Sequence, residues 1–376
     1  MPPIDRAGMC RKMMRILIFS LPGIGDTLLF LPALRVLRKA MPGAHITVVT
    51  MFEGSRAVVE LAGDADEAVN FEFWRNGAWQ ALRFVLGLRK RRFDACILAY
   101  PANRPEYNLI ARLSCAKVRL GHRYNHLGFV CLNWLQNRLV HEDDSLTNIE
   151  ENLRLAELLA GQRSSVENLR LRIPDPHARR ANAWLDERGL ARTRPLIGFH
   201  PGGSTRKNHE HKRWPAERFG ELGAQLLKKT AARILVFGGD KERDVKESIA
   251  GMIGAAACTV DTEDFSLSAA LIGQCDHFVS NDTALLHLAA FLGVPATGIF
   301  GPTNAAWVRV PGAWRQEATL GLPCQPCFYY SPRHLRCAQG DFQCLSGLST
   351  GHVLDLLLQA LESEKPLTSR EQYGTK

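Results

Sequence analysis

The sequence predicts an α/β protein built from two doubly wound domains that face each other across a cleft. The chain has 376 residues, more than twice the roughly 150 residues expected of one domain. Short apolar, β-branched runs alternate with longer amphipathic stretches, a pattern typical of parallel sheets with crossover helices. The alternation breaks at residues 173–177 (Ile-Pro-Asp-Pro-His). Two prolines restrict the backbone there, which predicts a linker between the domains.

The first domain is predicted to open with a strand, because residues 15–20 form a short, continuous apolar run. Four later runs of the same kind and three amphipathic stretches continue the α/β alternation. The predicted strands are 15–20, 45–50, 68–73, 94–99 and 117–121, and the predicted helices lie around 27–39, 78–90 and 147–159.

The second domain is predicted to enter through a helix at 178–188 and to repeat the alternation. Its predicted strands are 195–200, 233–237, 277–280 and 296–300, and its predicted helices are 216–229, 241–251, 266–274 and 283–292. These elements give a first domain of residues 15–173 and a second of residues 174–362, the latter carrying a cysteine-rich loop at 324–344. Residues 1–14 are expected to be an N-terminal extension and residues 363–376 a polar tail.

Composition and charge limit the class of protein. Apolar residues make up 46% and charged residues 23% of the chain, which is typical of a folded globular protein. The net charge of +9 favours anionic partners, but no nucleic-acid-binding module is recognisable, so nucleic acid is not an expected partner. Neither an apolar run long enough to span a membrane nor a signal-peptide cleavage site is present, so we expect a cytoplasmic protein.

The first candidate site residue is Asp26. The first predicted strand runs into Leu-Pro-Gly-Ile-Gly-Asp, a glycine-rich turn that brings the carboxylate to the start of a helix and to the cleft. Asp26 is therefore a candidate general base, although a helix-capping role fits the same position. A dinucleotide fingerprint would need Gly at position 28, which is Leu.

The loop after the strand at 195–200 is a candidate phosphate site. It reads His-Pro-Gly-Gly-Ser from His200 and ends in the basic sequence Lys-Arg-Trp-Pro at 212–215. Backbone amides, a hydroxyl group and a lysine there could hold a diphosphate. Metal binding by His200, His209 and His211 is a weaker interpretation, because no carboxylate or cysteine accompanies them at a usual spacing.

Two further strand ends carry polar residues. Asp240 follows Phe-Gly-Gly, where its carboxylate could accept hydrogen bonds from a ribose or cap a helix. The strand at 277–280 ends in Asn-Asp-Thr, followed by an apolar helix with His287 in its second turn. The free N–H groups at such a helix start bind anions, whereas a histidine in an apolar helix is by default a core residue.

Taken together, these motifs resemble the ADP-heptose:lipopolysaccharide heptosyltransferases of glycosyltransferase family 9. The resemblance rests on Gly-x-Gly-Asp-x4-Leu-Pro-Ala-Leu at 23–34, His-Pro-Gly-Gly-Ser and Lys-Arg-Trp-Pro, Asn-Asp-Thr-x3-His at 281–287, and Phe-Gly-Pro-Thr at 300–303. It covers residues 15–352. It implies a glycosyltransferase-B (GT-B) fold with the acceptor on the first domain, the nucleotide-sugar on the second, and inversion at the anomeric carbon.

The resemblance also implies roles for individual residues. Asp26 would be the catalytic base that deprotonates the acceptor hydroxyl. The residues implied to bind the donor are Ser204, Thr205, Lys212, Asp240, Asp282, Thr283, Ala284 and His287. Ala284 departs from the glycine common in the family, and its methyl group affects how closely a phosphate can approach. Because no Asp-x-Asp pair stands at a strand end, we expect catalysis without a metal ion.

Four cysteines cluster late in the chain as C-x2-C-x9-C-x6-C. The spacing is compatible with a structural zinc site, with two disulfides, or with unlinked thiols. The residues are Cys324, Cys327, Cys337 and Cys344.

Two other functions fit a similar two-domain architecture. A nucleotide-sugar epimerase would need catalytic acids in both domains and no acceptor, and a non-catalytic sugar-nucleotide-binding protein would not need Asp26. For a transferase, we expect an anionic glycolipid acceptor and peripheral contact with the inner face of the membrane. The basic residues expected to make that contact are Arg83, Arg89, Lys90, Arg91, Arg92, Arg112, Lys117, Arg119, His122 and Arg123.

Overall fold

The computed structural model describes residues 13–126, 129–163, 170–312, 314–329 and 334–363. Within them the chain forms two parallel six-stranded sheets, one in each half. Most of the predicted N-terminal extension and polar tail lies outside the described residues.

The first sheet contains the six strands of the N-terminal half in the order β3-β2-β1-β4-β5-β6. Its strands are β1 (Arg15–Ser20), β2 (His45–Thr50), β3 (Glu67–Asn70), β4 (Ala95–Leu98), β5 (Val118–Arg123) and β6 (Arg138–His141). The helices around it are α1 (Ile24–Ala40), α2 (Glu53–Ala62), α3 (Phe73–Lys90), α4 (Pro105–Leu113) and α5 (Asn148–Ala160). The pairing of β1 with both β2 and β4 is parallel, so the chain reverses its direction of winding between β1 and β4.

The second sheet repeats this topology in the order β12-β11-β10-β7-β8-β9. Its strands are β7 (Leu196–His200), β8 (Arg233–Val236), β9 (Ala257–Thr259), β10 (His277–Asn281), β11 (Ala296–Ile299) and β12 (Trp314–Ala318). The helices are α6 (Asp175–Asp186), α7 (Ala216–Leu227), α8 (Arg243–Ile253), α9 (Phe265–Ile272), α10 (Ala284–Leu292), α11 (Gln343–Ser346) and α12 (Thr350–Ser363). The winding reverses between β7 and β10, which pair in parallel. Both sheets therefore have the doubly wound order, and the predicted fold class is confirmed.

The predicted linker is packed rather than loose. The backbone N–H of Leu171 donates to the carbonyl of Phe291 on α10 at 2.8 Å, and the side chains of Leu171 and Ile173 belong to the apolar core. That core is continuous between the halves, because it contains residues of both α1 and α10. The division at 173/174 remains our proposal for the domain boundary.

Two hydrogen bonds tie the halves together away from this core. The indole Nε1 of Trp307 donates to the backbone carbonyl of Asp144 at 2.8 Å. The hydroxyl of Tyr329, on the cysteine-rich loop, donates to the buried carboxylate of Glu142. These contacts hold the second half against the segment between β6 and α5.

Candidate active site

The carboxyl ends of the central strands of both sheets open onto one cleft. In doubly wound sheets, ligands bind where the winding reverses, which here is beside β1 in the first sheet and between β7 and β10 in the second. The cleft has a volume of about 1100 Å³ and is lined by residues that follow all three strands. The topology thus brings the predicted site residues of both halves to one place.

Asp26 lies on the first-half wall of this cleft, in the first turn of α1. The N-cap residue of the helix is Gly23, without a side-chain cap, so Asp26 is not the N-cap, although its charge still lies at the positive end of the helix. Burial raises the pKa of Asp26 to about 7, the charge of Asp282 adds to this rise, and the charge of Lys212 opposes it. Near neutral pH the carboxyl group is therefore poised to take up or release a proton.

Facing Asp26 is a buried cluster formed by Lys212, Asp282 and His287. The Nζ atom of Lys212 lies 2.6 Å from Oδ2 of Asp282, which also accepts a hydrogen bond of 2.9 Å from the hydroxyl of Thr303. Burial would raise the pKa of Asp282, but the charge of Lys212 and the hydrogen bonds from Lys212 and Thr303 hold it below its usual value. Asp282 is thus ionised and gives Lys212 a fixed anionic partner.

His287 is a neutral imidazole at physiological pH. Its Nε2 atom lies 3.9 Å from Oδ1 of Asp282, yet burial lowers its pKa to about 4, because desolvation outweighs that carboxylate. The residue borders the cleft. It can therefore offer a ligand a hydrogen bond but no positive charge.

The amino-terminus of α10 opens onto the same cleft. Thr283 precedes the helix but makes no capping hydrogen bond with its side chain; its hydroxyl instead lies 2.8 Å from Nδ1 of His200 and 3.1 Å from the hydroxyl of Ser280. Ala284 and Leu285 of the first turn line the cleft. Uncapped amides and the positive end of the helix dipole make this terminus suited to an anion.

Glu242, which the sequence analysis did not select, organises the loops after β7 and β8. Its carboxylate accepts hydrogen bonds from the backbone N–H groups of Gly203 at 2.7 Å and Gly239 at 2.9 Å. Burial opposes ionisation, but the hydrogen bond and charge of His200 and these amides lower the pKa of Glu242 to about 2. A Cβ atom on Gly202 would lie 1.9 Å from Oε1 of Glu242. The Gly-Gly sequence after β7 therefore makes room for this buried carboxylate.

The other predicted donor residues lie nearer the solvent. Ser204 and Asp240 line the cleft, and Asp240 is more than half exposed, with Oδ1 3.3 Å from the guanidinium of Arg243. Thr205 is an exposed residue at the start of a short 3₁₀ helix and is not among the residues of the described chain that line the cleft. The structure thus brings Ser204 to the cleft but places Thr205 beside it.

The four clustered cysteines are free thiols, so the disulfide interpretation is wrong. Across the described parts of the chain, which include all four, no group of three or more His, Cys, Asp or Glu side chains is arranged to hold a metal ion. Neither the zinc interpretation of Cys324, Cys327, Cys337 and Cys344 nor a metal site at His200, His209 and His211 is supported by this geometry.

Comparison with solved structures identifies the fold. The structure of Escherichia coli ADP-heptose lps heptosyltransferase II aligns with a TM-score of 0.71 at 20% identity, covering 94% of this chain and 100% of that one. Escherichia coli heptosyltransferase WaaC, solved with ADP-2-deoxy-2-fluoro heptose, aligns with a TM-score of 0.66 at 21% identity, covering 92% and 99%. The chain therefore has the GT-B fold of glycosyltransferases.

The family follows from the sequence comparison. The chain belongs to glycosyltransferase family 9 (heptosyltransferase), whose model matches residues 81–336. Lipopolysaccharide heptosyltransferase 2 of Salmonella typhimurium is 25% identical over 367 residues, covering 93% of this chain and 99% of that protein. The resemblance inferred from the motifs is confirmed, and the chain is a glycosyltransferase.

Proposed function

We propose that this enzyme transfers a heptose, with inversion, from ADP-heptose to a lipopolysaccharide core or similar glycan, with Asp26 as general base. Family membership and the names of the relatives support the substrates. The observation that supports the mechanism is Asp26 itself, a cleft carboxyl group with a pKa of about 7 opposite the Lys212–Asp282–His287 cluster.

In this mechanism a hydroxyl oxygen of the acceptor attacks the anomeric carbon of the donor sugar. The bond between that carbon and the diphosphate oxygen breaks, and its electron pair leaves with the nucleoside diphosphate. The proton of the acceptor hydroxyl passes to Asp26, which must be ionised at the start of the step. Attack on the face opposite the diphosphate inverts the configuration.

The second half of the chain supplies the stabilisation of the leaving diphosphate. Lys212 provides a full positive charge, and the uncapped N–H groups of α10 provide fixed dipoles. Neutral His287 hydrogen-bonds a sugar or phosphate oxygen. The remaining proposed donor contacts are the phosphate loop at Ser204 and Thr205, the helix start at Asp282, Thr283 and Ala284, and the nucleoside contact at Asp240. We propose no divalent ion in this step, since Lys212 and the helix terminus take that role.

The exposed faces of α3 and α4 support the proposal of peripheral membrane contact. Both helices pack on one face of the first sheet, and α3 carries four cationic residues and no acidic one. In the described residues, most of the exposed large apolar side chains lie on these helices or on the segment that follows β5, namely Trp74, Trp79, Leu82, Leu86, Leu109, Phe129, Val130 and Trp134. An apolar surface with basic residues among it suits an anionic lipid interface.

The structure corrects part of the predicted basic surface. His122 is buried with Nε2 3.0 Å from Oε2 of Glu151, Arg91 is paired with Glu67, and Arg119 donates to the backbone carbonyl of Ala116. These three are not available to a membrane, because each is engaged within the protein. Arg83, Arg89, Lys90, Arg92, Arg112, Lys117 and Arg123 are exposed. Of these, Lys117 is also ion-paired with Asp94, with Nζ 3.3 Å from Oδ1. No helix in the described residues is long and apolar enough to cross a membrane.

The proposed function is tested by offering ADP-, GDP- and UDP-linked sugars in a thermal-shift screen, followed by transfer assays with a lipopolysaccharide core acceptor. A donor that binds the folded state raises the melting temperature. We expect ADP-heptose to give the largest shift and to be the sugar transferred, with activity retained after treatment with EDTA. Conversion of a UDP-sugar to its epimer without an acceptor would contradict the proposal.

A further inference from the structure

Arg104 is a cleft arginine whose charge is not neutralised by the protein. It precedes α4, and its guanidinium carbon lies 5.4 Å from the ring centre of Trp74 and 5.8 Å from that of Tyr107. The two aromatic rings hold the side chain at the cleft wall. In the described parts of the chain the guanidinium makes no hydrogen bond or ion pair with a protein group. Its N–H donors are therefore available to a ligand.

Two other arginines that line the cleft differ in this respect. Arg56 forms ion pairs with Glu53 and Glu60, and the guanidinium of Arg213 lies 3.5 Å from Oε1 of Glu242. Their charges are compensated within the protein. Arg206, which also lines the cleft, lies over the ring of Phe52 and likewise has no carboxylate partner among the described residues. Arg104 and Arg206 are therefore the cleft arginines that keep an uncompensated charge, and of the two Arg104 is the one on the first-half wall.

A second cation, Lys207, lies within electrostatic reach of Arg104. Burial lowers the pKa of Lys207 to about 8, the charge of Arg104 lowers it further, and the charge of Glu106 opposes both. Lys207 borders the cleft from the second half, so the two cations reach the same space from opposite halves. Two like charges held together repel each other, and an anion bound between them relieves that repulsion.

Arg104, Lys207 and the proposed base Asp26 line the same cleft. Burial raises the pKa of Tyr107 to about 12; the charge of Arg104 lowers it and that of Asp26 raises it. Tyr107 is thus within electrostatic range of both Arg104 and Asp26. An anionic group on Arg104 would hold the rest of its sugar next to Asp26.

We propose that Arg104 and Lys207 form a binding site for an oxyanion, a carboxylate or a phosphate, carried by the acceptor. The planar guanidinium can donate two parallel hydrogen bonds to either group. The bound anion then fixes which acceptor hydroxyl reaches Asp26. This inference rests on the proposed transferase function, since it assigns a substrate group to the same cleft.

Kinetics with two Arg104 variants test the site. For Arg104→Ala we expect the KM for the acceptor to rise about 10-fold or more, because a hydrogen-bonded charge is lost, with the KM for the donor within about twofold of wild type. The acceptor KM of Arg104→Lys should lie between those of the wild-type enzyme and Arg104→Ala, since lysine keeps the charge but cannot donate two parallel hydrogen bonds. Arg56→Ala is the matched control, a cleft arginine already paired, and should leave the acceptor KM near wild type.

A binding measurement without turnover separates this inference from the proposed function. Ligand-observed NMR with the wild-type protein should detect glucuronate, glucose 6-phosphate or both, and Arg104→Ala should abolish the signal. Neutral glucose should give no signal that depends on Arg104. Preference for glucuronate identifies a carboxylate site, and preference for glucose 6-phosphate a phosphate site.

Two results would contradict the proposed anion site. One is an Arg104→Ala protein that binds the donor more weakly but the acceptor normally, which would assign the cations to the diphosphate. The other is equal binding of the anionic and neutral sugars by wild type and variant. Arg104-dependent anion binding without transfer from ADP-heptose would instead count against the proposed function alone.

Discussion

A Cβ atom on Gly25 would lie 3.0 Å from the Cδ2 atom of His287. The first turns of α1 and α10, one from each half, therefore meet with room for a hydrogen atom and little more. We expect Gly25→Ala to displace His287 and weaken donor binding up to about 10-fold, measured by calorimetry. Gly251→Ala is the control, because that helical glycine has nothing within 4 Å of an added Cβ atom. Equal donor affinities in both variants would show that this contact is not part of the donor site.

Asp26→Asn should leave donor binding nearly intact and reduce kcat by roughly 10²- to 10⁴-fold, the usual contribution of a positioned base. The amide keeps the shape of the side chain but cannot accept the proton. Glu60→Gln, which alters another carboxylate that lines the cleft, should retain most activity. Near-normal turnover by Asp26→Asn would remove Asp26 from the mechanism.

The raised pKa of Asp26 predicts both a pH profile and a stability effect. Because the base must be ionised, kcat/KM should fall as the pH drops below about 7. Burial favours the protonated carboxyl in the folded state, so this group costs increasing stability as the pH rises from the ordinary value of 3.8 to about 7. Asp26→Asn should therefore melt at a higher temperature than wild type at pH 8, with the difference shrinking towards pH 4. A lower melting temperature at pH 8 would contradict the burial of this charge.

Lys212→Ala should weaken donor binding more than His287→Ala, because a full charge interacts with a diphosphate more strongly than a neutral imidazole does. Removing Lys212 also leaves buried Asp282 without its counter-charge. The double variant Lys212→Ala/Asp282→Asn corrects for that loss, and it too should bind the donor weakly. Calorimetry that finds wild-type donor affinity in both Lys212 variants would exclude the lysine from the diphosphate site.

Co-sedimentation with anionic lipid vesicles tests the membrane surface of α3. We expect Trp79→Ser/Leu86→Ser and Arg83→Glu/Lys90→Glu each to reduce binding, and 0.5 M salt to release the wild-type protein, at about 1 kcal/mol per basic residue. Met252→Ser is the control, since Met252 is an exposed apolar residue on α8. If both α3 variants bind the vesicles as strongly as the wild-type protein, the docking surface lies elsewhere.

The sequence was sufficient to predict the α/β fold where buried strands are continuous apolar runs. The predicted bounds of β1 and β2 agree with the structure, because both strands are buried almost throughout and their β-branched residues extend across them. Short strands such as β9, with three residues, and β6 were missed. Their few half-buried side chains give too little pattern to distinguish a strand from a loop.

Helices α2, α4 and α12 were also missed. Helices α2 and α4 have 10 and 9 residues, which give few turns of periodic pattern. Helix α12 has 14 residues, and its buried Val353, Leu354 and Leu357 follow a helical spacing that was present in the sequence but not used. Helix α3, in contrast, is longer than the predicted helix at 78–90. It begins at Phe73 and contains a break at Gly77.

At the site, sequence motifs located Asp26, Lys212 and Asp282 but not what surrounds them. The raised pKa of Asp26 comes first from its burial, and the charges of Lys212 and Asp282 in the other half of the chain then modify it; no local pattern carries that information. Glu242 stands two residues after the selected Asp240, and its position in a capping arrangement with Gly239 was the available signal. Arg104 gave no signal at all, because its significance lies in lacking a carboxylate partner.

The pairing of Lys212 with Asp282 has a consequence for turnover. If Lys212 serves the diphosphate, the donor enters by ion exchange, with one anion replacing another around the same ammonium group. The protein's own carboxylate then competes for Lys212 throughout the cycle. It limits how tightly donor and product can be held, and it recaptures the lysine as the spent nucleotide departs. The Lys212–Asp282 pair thereby weakens nucleotide binding and speeds product release.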